Sequence, residues 1–441
     1  MSEQRIKVLS TYLVLLLLLA STIAVVKFAW ISADAPYYIS VARDLSESKV
    51  VYKDFTSIYT PLVMYLNSIL FVLFSGPSYL YFLIFQLLII FTGGALFYFI
   101  ISRIIKLDYH YSLFLVAAFV LAILSSDGNY INLEVYSIVF VLFGFFLILQ
   151  DKYYFVSGLL LGFAFMCKQY GVLNFIPFGI LILIGTNTKR IKFWKLFYLS
   201  LGGIVALSLF LGVFVVVNGV SLESLIDQLS GSGYAAMATS KSRSIISLLI
   251  GAKVFLIFLT IVVVYVIRSQ KRSNILLFCL AGIVVNLIPV LIQNFQHYYI
   301  NTFPYLFLAI GFSLRESPKK IYFPAILCAT LICSFFLVAR LIRYRSNGAT
   351  QHQVAKVIRE YLPAGSTVYI DGNLRYLYFL NNYHNPFMKA IGYDYSFVAI
   401  DTLDKRSVIL SGRQLELEGR VTRTIKVKDG EAYIYSPISI Y

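Results

Sequence analysis

Apolar runs long enough to cross a lipid bilayer recur along most of this chain, and no other feature constrains its fold as strongly. Residues 8–30, 79–101, 193–217, 245–267, 275–293 and 322–341 each meet the roughly 18 residues that a spanning helix needs. A bilayer core offers no water to the backbone, so runs of this kind fold as helices. Hydrophobic residues make up 59% of the chain and charged ones 13%, with a mean hydropathy of +0.80. A soluble globular protein is excluded, and a polytopic α-helical membrane protein is the expected class.

Charge then orients the spans. The net charge of +16 would suggest nucleic acid in a soluble chain. Here the cations sit mostly between apolar runs and in the C-terminal region, so topology and phospholipid contact account for them, and no nucleic-acid partner is expected. The first run is longer than a signal-peptide core and lacks a convincing cleavage site, so it reads as a retained span. Arg5 and Lys7 place the N-terminus inside, and Trp30 marks the outer interface. The short run 62–74 decides the parity. If it crossed, the span 79–101 would end outside, leaving Arg103 and Lys106 on the wrong side. Kept outside as a re-entrant or interfacial segment, it leaves Lys189, Arg190, Lys192 and Lys195, then Arg268, Lys271 and Arg272, then Arg315, Lys319 and Lys320 inside. The count that results is about 11 transmembrane helices in residues 1–342.

Two polar stretches stand apart from the spans. Residues 31–78 form the first outer loop. Within it Tyr38, Val41, Ala42 and Leu45 recur at helical spacing, while Ser40, Arg43, Asp44 and Glu47 fall elsewhere on the wheel. This predicts an amphipathic helix over 36–47, lying in the interface with its apolar side in lipid. Residues 343–441 have soluble composition. Val354, Val357, Ile358, Tyr361 and Leu362 mark a helix stopped by Pro363 and Gly365, and 367–371, 396–401, 407–410, 421–427 and 432–435 read as strands. A small extracytoplasmic α/β domain is the expectation.

The residues able to carry chemistry collect on the outer side. Asp34 is the leading candidate, because a carboxylate at the edge of low dielectric becomes a better general base; it is equally suited to capping the helix that follows. Glu134 sits where a short outer loop meets the next span, a costly place for an acid, and is either a functional acid or, as Asp127 nearby reads, a solvated loop residue. Lys168 breaks the rule that outer turns lack cations. It is either a phosphate ligand or a side chain reaching for lipid phosphates. Arg43, Lys53, Lys241, Arg243 and His297 are further phosphate candidates, although His297 in QHYY reads first as part of an aromatic belt. Cys167, Cys279, Cys328 and Cys333 form no CxxC pair, which argues against a zinc ribbon or a disulfide framework. No Gly-rich nucleotide loop or Walker motif appears, which disfavours nucleotide sugars and ATP.

These residues resemble a known family. Asp34-x-x-x-Tyr38 in the first outer loop, followed by VYKDF, YTPL and LFSGPS within residues 51–78, is similar to the C-type membrane glycosyltransferases, and among them to the protein O-mannosyltransferase and aminoarabinose transferase superfamily. Glu134 matches the acid of that family's second outer loop, and Lys168 a basic position after its fifth span. The stretches VAKVIREYLPAGSTVYIDG and YLYFLNN resemble the extracytoplasmic C-terminal domain of many bacterial members.

The resemblance implies a C-type glycosyltransferase fold and a polyprenyl-phosphate-linked sugar donor. It implies an inverting displacement facing outward from the bacterial inner (cytoplasmic) membrane. Asp34 would be the catalytic base, with Glu134, Lys168, Arg43, Lys53, Tyr38 and His297 binding substrate. No cofactor is fixed, and a divalent metal is used by some members only. The acceptor is a lipid, glycan or protein. Asp34-Ala35 replaces a paired acid, and Tyr59-Thr60-Pro61 replaces the His-Pro-Pro of protein mannosyltransferases, which weighs against a Ser/Thr protein acceptor. Two other classes compete: a lipid-linked-sugar flippase or transporter, and a polysaccharide polymerase or ligase. Spans mostly clean of charge favour an interfacial enzyme over a transporter.

Overall fold

A computed structural model describes residues 3–31, 35–54, 57, 59–74, 78–230, 245–268, 274–293, 295–316, 319–343, 347–366, 368–371, 374, 376–381, 408–411, 420–427 and 430–437. The chain divides into two compact units. One comprises Met1–Lys27, Leu83–Val213 and Met237–Leu341; the other comprises Phe28–Phe82, Phe214–Ala236 and Ile342–Tyr441.

The first unit holds the helices α1 (Glu3–Lys27), α5 (Tyr109–Ile123), α6 (Leu133–Ile148), α7 (Tyr154–Cys167), α8 (Phe175–Ile184) and α9 (Lys189–Leu211), with nearly all of α4 (Tyr79–Phe99). After α10 (Leu222–Ser230), which belongs to the second unit, it continues with α11 (Ile245–Arg268), α12 (Asn274–Asn286), α13 (Ile288–Gln293), α14 (Phe303–Glu316) and α15 (Lys319–Arg343). Six helices among the described residues are long and apolar enough to cross a membrane: Lys7–Lys27, Tyr79–Ile104, Tyr109–Gly128, Lys189–Val217, Asn274–Ile292 and Pro324–Arg343. Leu133–Ile148, Tyr154–Cys167, Gln169–Ile184 and Ala252–Tyr265 are shorter apolar helices, as is Leu62–Leu73 in the second unit. The chain is thus an integral, polytopic helical membrane protein, as its sequence predicts.

Two local devices set the packing of the bundle. Between α7 and α9 the contact is backbone to backbone. A Cβ at Gly158 would sit 1.9 Å from the Leu199 carbonyl oxygen, and one at Gly202 would sit 2.0 Å from that of Phe155. Small residues at such positions let helices approach where no hydrophobic effect drives them together. The second device is a change of helical period. α5 ends in a π turn over Leu124–Gly128, and 3₁₀ turns over Gln169–Asn174 and Gln296–Thr302 lead into α8 and α14. Such irregularities re-aim side chains and are frequent at functional sites.

In the second unit, α2 (Ala35–Ser46) and α3 (Leu62–Leu73) pack together. With 12 residues, α3 is about 18 Å long, well short of a bilayer core of about 30 Å. The α2 helix corrects an expectation. It has the predicted bounds to within a residue, yet Ala35–Ile39 and Val41–Leu45 are buried, Arg43 and Asp44 included, so it is enclosed on nearly every side and not laid in lipid on one face. The periodicity finds the apolar stripe but says nothing about what covers the polar one.

The C-terminal region supplies α16 (Asn347–Arg359), β1 (Val368–Asp371), α17 (Leu377–Leu380), β2 (Val408–Ser411), β3 (Arg420–Val427) and β4 (Gly430–Pro437). The strands form one sheet in the order β1-β2-β4-β3. β1 and β2 are parallel, Val368 facing Val408, and β3 and β4 form a hairpin with Thr424 facing Tyr433. Four of the five strands read from the sequence are present; residues 396–401 lie outside the described residues.

Candidate functional site

Charged and polar side chains of the first unit converge at one end of the helices. The C-terminal ends of α5, α7 and α15 meet the N-terminal end of α6 and the turn that leads into α14. Glu134 lies in the first turn of α6, whose cap is the Asn132 side chain accepting Glu134 N–H at 3.1 Å. Lys168 caps α7 in extended backbone. Its ammonium stands 3.4 Å from Glu134 Oε1 and 5.3 Å from the centre of the Tyr298 ring. Tyr298 meets His297 edge-on at 4.7 Å, and His297 Nδ1 lies 3.8 Å from Asp127 Oδ2. The Arg340 guanidinium of α15 pairs with Asp127 Oδ1 and stacks 5.6 Å over Tyr130. Lys253 of α11 rests 4.8 Å over the Phe336 ring, close enough to feel both Arg340 and Asp127.

A single buried amide holds the loop in this cluster. Gln86 of α4 donates to Gly128 O at 2.8 Å and to Tyr130 O, and accepts Asn132 N–H at 2.7 Å. On the other flank Gln296 donates to Ser125 O at 2.9 Å. Four backbone groups between Ser125 and Asn132 are thereby paired with side-chain amides, as backbone away from solvent requires. Asp127 itself is in left-handed backbone, φ 72°, which Asp tolerates better than most residues.

Several sequence expectations change here. Glu134, Lys168 and His297 are brought together, His297 through the Tyr298 ring. Lys168 is not a lone outer cation, because Glu134 neutralises it and both are 1% exposed. Asp127 is buried and paired and not a solvated loop residue, and His297 is part of a charge network and not simply of an aromatic belt. Arg340, Lys253 and Gln86 escape the sequence reading. Their only signal is a polar side chain inside an apolar run, which is itself a functional marker in membranes.

The remaining candidates belong to the second unit or outside the described residues. Asp34, Lys241 and Arg243 lie outside them. Lys53 is exposed. Arg43 and Tyr38 are buried on α2, away from open solvent. Tyr38 joins Tyr37 and Tyr59 in a three-ring cluster with centroids 5.7–6.0 Å apart. Tyr37 donates to Ser57 Oγ at 3.0 Å, and Tyr52 donates to Tyr59 O at 2.7 Å. Gln228 of α10 accepts Ser57 N–H at 3.0 Å and donates to Tyr52 O at 3.2 Å. Burial pushes the Asp44 carboxyl above its usual range against the pull of Lys49, 3.0 Å away. Among the described residues no three His, Cys, Asp or Glu side chains converge as metal ligands would.

The fold so defined is a polytopic bundle of long and short apolar helices with a cluster of buried charged side chains at one end. Over 99% of both chains it is similar to the crystal structure of ArnT from Cupriavidus metallidurans bound to undecaprenyl phosphate, with a TM-score of 0.69 and 12% identity. The apo state of that protein aligns over 97% of both chains with a TM-score of 0.66, also at 12% identity. At such identity the likeness is one of fold, and it bears out the expected polytopic helical membrane architecture. No protein-family model and no curated protein matches the chain.

Proposed function

We propose that this protein is an inverting glycosyltransferase that moves a sugar from a polyprenyl-phosphate donor to a lipid or glycan acceptor on the outer side of a bacterial cytoplasmic membrane. The observation that carries the reading is the end-to-end likeness in fold to a protein whose crystal structure holds undecaprenyl phosphate. The charge balance of the cluster supports it. Lys168 and Glu134 cancel, Asp127 balances Arg340, and Lys253 takes no carboxylate partner among the described residues, which leaves a cation in excess for a lipid phosphate.

In this mechanism Asp34 takes the proton of the acceptor hydroxyl as the oxygen attacks the anomeric carbon. The bond from that carbon to the phosphate oxygen breaks on the opposite face, and the electron pair leaves with the polyprenyl phosphate. The first unit carries cations of the kind that would steady such a phosphate, Lys253 and Arg340. His297, held by Asp127 and Tyr298, lines the same cluster.

The test uses purified protein in lipid vesicles with undecaprenyl phosphate carrying labelled hexoses and pentoses, and delipidated cell-envelope extract as acceptor. The expected result is labelled acceptor and free undecaprenyl phosphate from at least one donor, no transfer from nucleotide sugars, and loss of turnover on Asp34→Asn by about 10²–10⁴-fold. Movement of labelled carrier across the bilayer with the sugar–phosphate bond intact for every donor would replace the enzyme by a flippase.

A further inference from the structure

The apolar helix Lys189–Val217 ends in a π turn over Gly212–Val217, and its last two side chains, Val216 and Val217, are exposed. A short turn then leads into α10. Gly219 makes that turn possible with φ 66°, a backbone that glycine adopts without steric cost. Val220 N–H closes it by donating to Phe214 O at 2.9 Å, and Ser221 caps the new helix by accepting Ser224 N–H at 3.1 Å.

The α10 helix has three distinct sides. Leu225 is 1% exposed, and next to it Gln228 reaches into the protein, accepting Ser57 N–H at 3.0 Å and donating to Tyr52 O at 3.2 Å. Leu222 and Ile226, one turn apart, are 50% and 55% exposed. Glu223 and Asp227, also one turn apart, are exposed on the remaining side. Protein, uncovered aliphatic surface and acids thus follow one another round the helix. That division suits a helix lying where protein, acyl chains and water meet. The sequence predicts this place for α2, which is instead enclosed on nearly every side.

The grip of Gln228 falls on a strained turn. Tyr52 has φ 69°, a left-handed backbone that a bulky side chain rarely adopts and that persists only when its surroundings hold it. Gln228 takes its carbonyl, its hydroxyl donates to Tyr59 O at 2.7 Å, and its ring meets Phe214 edge-on at 5.2 Å. Two of these holds come from the one segment that runs from Phe214 through α10.

We propose that α10 is an interfacial helix whose partner is the lipid of the leaflet in which the span Lys189–Val217 ends. Leu222 and Ile226 seat it at the boundary of headgroups and acyl chains, continuing the exposed apolar surface of Val216 and Val217, and Gln228 passes that seating to the Tyr52 turn. The recognition is apolar. The helix carries Glu223 and Asp227 and no Lys or Arg, so anionic headgroups add no attraction. Such docking is independent of the reaction the protein catalyses.

The experiment uses the full-length protein in vesicles of phosphatidylcholine, alone or with an equal share of phosphatidylglycerol. Cys328→Ser removes the exposed cysteine, the other three being buried, and a nitroxide is carried in turn by Leu222→Cys, Ile226→Cys and Asp227→Cys. Collision with oxygen, which partitions into lipid, is compared with collision with a water-soluble nickel chelate. Oxygen contact should exceed nickel contact at positions 222 and 226 and fall below it at 227, alike in both lipids and at low and physiological salt. Nickel contact at 226 equal to that at 227 would put this side in water. Shielding from both reagents would put it against protein, a second copy of the chain included. Either result overturns the proposal, as does oxygen contact that appears only with the anionic lipid. The link to the turn is read as amide hydrogen exchange at Ser57. Ile226→Gln keeps length and helix propensity but loses the apolar surface, and should speed that exchange about tenfold, the factor that losing roughly half the burial of one isoleucine implies. Ile226→Leu should leave it unchanged, and Leu222→Gln decides if the glutamine form at 226 does not fold. A Ser57 rate that Gln228→Ala raises and neither glutamine variant moves overturns the coupling to the turn.

Discussion

Lys168 Nζ and Glu134 Oε1 stand 3.4 Å apart in a site where each side chain is 1% exposed. At that burial neither charge has water to fall back on, so the two are stable only together. Removing one partner of a buried pair typically costs about 3–5 kcal/mol, whereas replacing both by apolar residues of similar size is often near neutral. Glu134→Gln is therefore expected to lower the melting temperature in detergent far more than Glu134→Leu combined with Lys168→Met. A double variant as unstable as the single one would show that the pair does not act as a unit.

The contact between α7 and α9 gives a second prediction. With Leu199 O 1.9 Å from the Cβ position of residue 158, any side chain there must push the helix backbones apart. Gly158→Leu is expected to lower the yield of monodisperse protein. Gly179→Ala, whose added Cβ meets only the tip of Leu196 at 3.8 Å, should not. The comparison separates loss of close approach from the general gain in helix propensity on replacing glycine, which would favour both changes.

A pH effect is expected at the turn between α6 and α7. Burial pushes the Asp151 carboxyl up, but hydrogen bonds from Lys195 and Tyr154 and the Lys195 charge together outweigh it and hold the carboxyl below its usual range. A carboxylate with a depressed folded pKa contributes stability that is present above its unfolded value, about 3.9, and is lost as pH falls through the folded value. The Asp151 side chain is 65% exposed, so the effect is small, at most about 1 kcal/mol and screened by salt. The melting temperature of Asp151→Asn should lie slightly below the parent at pH 7 and meet it as pH falls below about 4. A difference that grows on acidification would reverse the sign and discard the assignment.

The bundle was legible because apolar length alone identifies a spanning helix. The strands Val368–Asp371 and Arg420–Val427 were legible because β-branched residues cluster there between turn signals. The site was half legible. Glu134 and Lys168 stand at the edges of apolar runs, where a charge is conspicuous. Arg340 and Lys253 lie within the runs 322–341 and 245–267, where one cation among many apolar residues is easily absorbed into the span. Asp127 beside Gly128 and Asn129 has the composition of an ordinary turn. The Gln86 amide, 42 residues earlier in the chain, helps to turn that loop inward, and a contact of that kind leaves no local trace.

Arg340 and Lys253 carry the last prediction. Asp127 leaves Arg340 electrically neutral overall, so Lys253 supplies the net charge of the cluster while Arg340 supplies planar donors suited to phosphate oxygens. Loss of a charge-assisted hydrogen bond costs about 1.5–3 kcal/mol, which is about 10- to 150-fold in affinity. Lys253→Met is therefore expected to weaken binding of undecaprenyl phosphate by about that factor and to flatten its dependence on salt. Asp127→Asn acts in the opposite sense on charge, since it frees Arg340 from its partner, and should tighten phosphate binding even if the loop it anchors is less well held. Equilibrium binding of labelled undecaprenyl phosphate to the three proteins in nanodiscs, at low and at physiological ionic strength, reads both effects without requiring the sugar or the acceptor. If Lys253→Met binds as the parent does and Asp127→Asn binds more weakly, the cluster is a structural ion network and the phosphate is held elsewhere.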